Sequence, residues 1–211
     1  MTRQHLIEQI LRQVYGSQPT DDASVTPGLV NQMINQGIGL AVKQTYNESI
    51  QLDGVGYVNN SFYTTFKGLV ITQDEQFKWK LSLPEVPIAV GKNEGISTLI
   101  FKDANNTLSR PVVWLNQNQL TYYQSMPIIA NKVFAYNEGN VVYILTTIQM
   151  TQYTATATII SGGDSSNLSS TLSVPDNYIP IIVEYVTKSL IAARQQVQDK
   201  ANDGNDAITT A

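Results

Sequence analysis

The side chains able to do acid–base or nucleophilic chemistry are few, and their spacing does not resemble a catalytic site. The chain has one histidine, His5, and no cysteine. Ser–His and Cys–His mechanisms need a histidine that a third group orients. His5 stands near the start of the first predicted helix, a position typical of a surface residue. The lack of cysteine excludes disulfides and thiolate metal sites.

Paired carboxylates offer acid–base chemistry without histidine. Three pairs are close in sequence or flank one predicted turn: Asp21/Asp22, Asp74/Glu75 and Glu85/Glu94. The first two pairs lie in predicted polar turns, where carboxylates are normally solvated. A hydrolase using Glu85 or Glu94 in a deep cleft is the remaining enzyme hypothesis. We predict that the chain is not an enzyme and has no catalytic residues.

Metal and phosphate motifs are incomplete. The segment Asp199–Gly204 echoes a calcium loop, but Ala201 stands at its third position and Thr210 at the position of the bidentate glutamate. Gly37-Ile38-Gly39 lacks the third glycine of a dinucleotide site, and Gly162-Gly163-Asp164 lacks the lysine of a P-loop. We therefore predict neither a metal nor a cofactor.

Aromatic residues leave a binding function open. Trp114, Tyr122 and Tyr123 are able to form a stacking platform for sugars. The same residue types are also favoured in strand packing and in contacts between subunits. A carbohydrate-binding module of a phage or surface protein is thus the alternative hypothesis.

The charge and hydropathy of the chain limit the kinds of partner that it is expected to bind. Thirteen Lys and Arg stand against 17 Asp and Glu, for a net charge of -4, and no basic run occurs. Tight binding to phosphate backbones is therefore not expected. Only 14% of the residues are charged, and a surface solvated by neutral polar groups suits large, wet contacts between proteins. No apolar stretch reaches the roughly 18 residues of a membrane span, and the N-terminus does not resemble a signal peptide.

Periodicity predicts two helices at the N-terminal end and one at the C-terminal end. Residues 3–15 carry an apolar stripe between a capping Thr2 and a terminating Gly16. A second helix is expected from Thr26-Pro27 to about Asn47. The third is expected to start at Pro175-Asp176 and to end near Gln198. The side chains that we predict to pack these helices and to form contacts between subunits are Leu6, Ile10, Val14, Ile182, Val186 and Leu190.

The middle of the chain alternates with the period of β-strands. Residues 62–72 are predicted to place Phe62, Phe66 and Val70 on one side, and 77–83 form a half-buried strand. The other predicted strands are 97–102, 111–115, 132–136, 141–148 and 154–160. Many short strands at this spacing indicate a central antiparallel β-sandwich or barrel.

These elements predict an α+β fold with an N-terminal helix pair, the central β region and a long C-terminal helix. The expected boundaries are 1–49 for the helical region, 50–172 for the β region, 173–198 for the last helix and 199–211 for a polar tail. We expect them to form one folded unit.

Four segments together resemble the neck ring proteins, or head-to-tail connectors, of short-tailed, crAss-like bacteriophages. They are LPEVP at 83–87, GKNEGI at 91–96, SVPDNYIP at 173–180 and VQDKANDGND at 197–206. The resemblance covers most of the chain as an order of elements. It implies a non-catalytic virion protein, made in the host cytoplasm, that forms a ring in the phage neck.

The resemblance also implies the partners. Such a ring is a homo-oligomer, expected to be a dodecamer that matches the portal protein, and it contacts other neck and tail proteins. It joins the capsid and portal to the tail, and genomic DNA passes through it without sequence-specific binding. No membrane is involved.

Overall fold

The computed structural model describes residues 1–16, 25–90, 95–103, 111–116, 118–120 and 132–202. Three long helices occur in this part: α1 (Arg3–Tyr15), α2 (Pro27–Asp53) and α3 (Ile179–Asn202). The strands are β1 (Tyr63–Glu75), β2 (Lys78–Ser82), β3 (Ile96–Lys102), β4 (Val112–Trp114), β5 (Val133–Glu138), β6 (Val141–Leu145) and β7 (Thr154–Ile160). Short 3-10 turns precede β1 and α3, at Asn60–Phe62 and Asp176–Tyr178. The predicted α+β class is confirmed.

The helix ends follow the predicted caps. Thr2 Oγ1 accepts a hydrogen bond from His5 N at 3.4 Å, and Thr26 Oγ1 accepts one from Leu29 N at 3.2 Å. Gly16 ends α1 with a φ of 70°. The predicted end of α2 near Asn47 is wrong, since the helix continues to Asp53 and ends at Gly54 with a φ of 71°.

The strands form one seven-stranded sheet that curls into a nearly closed barrel, in the order β3-β7-β1-β2-β6-β5-β4. β1 belongs to both halves of the barrel, because its first residues pair with β7 and its last residues pair with β2. Neighbouring strands are antiparallel with one exception, the parallel pair β4 and β5. The prediction of antiparallel strands is therefore confirmed for the other neighbouring strand pairs.

A bulge in β1 corrects the predicted facing of its side chains. The register with β7 shifts between Phe66 and Leu69, where Gly68 has a φ of 70°. Beyond the shift, Ile71 is buried and Val70 is 71% exposed. The prediction that Val70 shares a side with Phe62 is wrong because a bulge adds one residue and reverses the alternation.

Apolar side chains form two cores that meet at β1. One core fills the space among the three helices and includes Phe62, which immediately precedes β1, and Ile160 at the end of β7. The other fills the barrel, with Trp79, Leu81 and Ile144 among its buried side chains. The N-terminal and C-terminal helices thus share a single core, although they lie at opposite ends of the sequence.

Gly37 sets the distance between α2 and α3. A Cβ atom at this position would lie 3.1 Å from Ile182 Cγ2 and 3.4 Å from Tyr185 Cδ1 of α3. At Gly39, two residues further along α2, a Cβ would have no heavy atom within 4 Å outside the local helix backbone. Helix α3 therefore lies close to α2 at Gly37, whereas the space beside Gly39 is open.

These two glycines provide a matched pair of substitutions. We expect Gly37→Leu to lower the free energy of unfolding by about 1–3 kcal/mol, since the added side chain has to push α3 away. Gly39→Leu is the control and should not destabilise the chain, because leucine favours helix more than glycine. Chemical denaturation measures both. Equal free energies for the two variants would contradict the close helix contact.

Candidate interaction surfaces

The residues singled out for chemistry lie apart from one another in the described part of the chain. His5 is exposed on α1. Asp74 lies on the β1–β2 hairpin and accepts Lys78 Nζ at 3.1 Å and Lys80 Nζ at 3.2 Å. Hydrogen bonds from these two lysines lower the pKa of Asp74. Asp21, Asp22 and Glu94 lie outside the described residues.

Glu85 is half-buried and already engaged. Its Oε1 accepts a hydrogen bond from Ser165 N at 2.5 Å, which ties the segment after β2 to the segment after β7. The adjoining cleft has a volume of about 580 Å³ and is lined by a mixture of amide and hydroxyl side chains and apolar side chains such as Pro84 and Ile88. In the described part of the chain, no group of three or more His, Asp or Glu side chains is placed to hold a metal ion. The side chains of the Asp199–Gly204 segment and Thr210 lie outside the part of the chain that the structure describes.

Arg3 is the buried charge nearest to this cleft. Its Nη1 donates to Asn35 Oδ1 at 2.7 Å and to Asn31 Oδ1 at 2.9 Å, both on α2. Its Nη2 donates to Gly162 O at 3.2 Å. Burial lowers the pKa of the guanidinium, and the charges of Glu85 and Asp164 oppose that effect. The arrangement holds α1, α2 and the end of the sheet together.

The six predicted interface residues are placed in the core of the chain itself. Leu6, Ile10, Val14, Ile182, Val186 and Leu190 are all buried among the three helices. They therefore pack the helices, as the periodicity indicates. Their part in contacts between subunits stays a prediction, and it would be indirect, because buried side chains do not reach the surface.

Other apolar side chains are exposed, and the sequence patterns did not single them out. Leu52 is 82% exposed at the end of α2, and Val55 and Tyr57 follow it. Ile181 lies on the outer side of α3, and Phe77 lies at the tip of the β1–β2 hairpin. Leu52, Val55, Tyr57 and Ile181 fall outside the predicted apolar stripes, so periodicity carries no signal for them. The predicted strand 77–83 is wrong for its first residue, because β2 begins at Lys78 and Phe77 lies exposed in the preceding turn.

A groove between α1 and α3 has a volume of about 440 Å³. Thr187 Oγ1 donates to Gln13 Oε1 across it at 3.1 Å. Its lining residues are Gln9, Gln13, Ile179, Pro180, Val183, Glu184, Thr187 and Lys188. We call this the helix groove.

The proposed stacking platform is only partly described. Trp114 is half-buried and packs against the barrel core, and Tyr122 and Tyr123 lie outside the described residues. The described aromatic pair on the sheet is Tyr136 and Tyr143, stacked with ring centroids 5.0 Å apart. Lys78 Nζ lies 4.7 Å from the Tyr143 ring, so this pair is engaged within the chain.

The described part of the chain packs two apolar cores, joins its helices to the segment after β7 through the hydrogen bonds of buried Arg3, and leaves apolar side chains on its surface. These features are those of a structural subunit suited to contact with other proteins. In the described part of the chain, no helix is long and apolar enough to cross a bilayer. The family model of phage tail ring protein 2 from crAss-like phages matches residues 5–208. The chain belongs to this family, and the predicted resemblance to crAss-like phage ring proteins is confirmed. No curated protein matches the sequence.

Membership of this family makes the chain a structural component of the phage tail and places it in the virion. It also implies that copies assemble with other tail components.

Removing the buried guanidinium should destabilise the fold. We expect Arg3→Met to lower the free energy of unfolding by about 2 kcal/mol, because Asn31, Asn35 and Gly162 lose their shared donor. Arg12→Met, on the exposed side of the same helix, is the control and should change stability by less than about 0.5 kcal/mol. Thermal and urea unfolding measure both. Equal stability would contradict the bridging role of Arg3.

Two adjacent isoleucines of α3 differ in burial, since one lies in the core and the other on the surface. Ile182 is 2% exposed and Ile181 is 43% exposed. Ile182→Asp, like Val186→Asp, should cost at least about 3 kcal/mol, because a carboxylate enters the helical core without a partner. Ile181→Asp should leave the fold intact. Circular dichroism and size-exclusion chromatography of the variants test this, and a folded Ile182→Asp chain would contradict the packing.

Proposed function

We propose that the chain forms a ring in the phage neck that joins the capsid and portal to the tail and surrounds the path of the genome. The observation that carries this proposal is the match to a tail ring family over residues 5–208. The ring would be a dodecamer matching the portal. It would be made in the host cytoplasm and would contact other neck and tail proteins, with no membrane involved and no catalytic step.

The charge arrangement supports a channel through which DNA moves. The chain has a net charge of -4. Several of its described cations are already satisfied: Lys78 and Lys80 by Asp74, and Lys188 by Glu184. Arg3 is buried. Cations paired within the chain release few counterions on contact with DNA, so the ring would not grip the passing phosphates.

A rigid subunit also supports the proposal. The barrel and the helical core meet at β1, and just before this strand Phe62 packs against Tyr178 with ring centroids 5.7 Å apart. A ring transmits its geometry from subunit to subunit, and closely packed interiors keep that geometry fixed.

Mass photometry of the purified chain, alone and with the proteins of its genomic neighbours, tests the proposal. Twelve copies of the 23.3 kDa chain give a particle of about 280 kDa. We expect this particle alone or on the portal, and we expect weak DNA binding that changes little with salt. A strict monomer under both conditions would contradict the ring. Glycan binding by that monomer would favour the carbohydrate-binding alternative.

A further inference from the structure

We draw no further inference here: the strongest candidate, the exposed apolar patch that Ile50, Leu52, Val55 and Tyr57 form at and just after the end of α2, carries none because nothing in the structure shows what covers it.

Discussion

Arg3 places a guanidinium where α1, α2 and the segment after β7 meet, and the position of the helices on the barrel depends on it. Its donors reach Asn31, Asn35 and Gly162, groups far apart in sequence. Backbone bonds continue the contact, since Arg3 N donates to Ser170 O at 3.1 Å and Gln4 N to Leu168 O at 2.8 Å. Apolar packing supplies attraction without direction, whereas buried hydrogen bonds select one arrangement.

β1 extends this arrangement to the far side of the molecule. Its start packs in the helical core, and beyond the bulge at Gly68 it joins the other half of the barrel. A bulge bends the strand and increases its twist, which lets one strand serve both halves of a closed surface. The strand thus connects the helical core to the β1–β2 hairpin at its other end.

The fold separates the side chains that hold the subunit together from those free to make contacts outside it. The apolar side chains along α1 and α3 are buried in the core that the helices share. Some exposed apolar residues, such as Leu52 and Phe77, lie near the ends of elements or in turns, and others, such as Leu40 and Val70, lie on the outer faces of α2 and β1. Low charge density lets such residues meet partners with little desolvation of ionic groups.

The sequence by itself determined the α+β class, the caps at Thr2 and Thr26, strand β7 and the family resemblance, because caps and periodicity act within a few residues. Only the tertiary structure decided that α1 and α3 share a core, that α2 continues to Asp53 and that Val70 faces outward. An apolar stripe in the sequence indicates that one face of a helix is buried. It does not indicate whether that face packs against the same chain or against a neighbouring subunit. That choice rests on contacts between residues far apart in the chain.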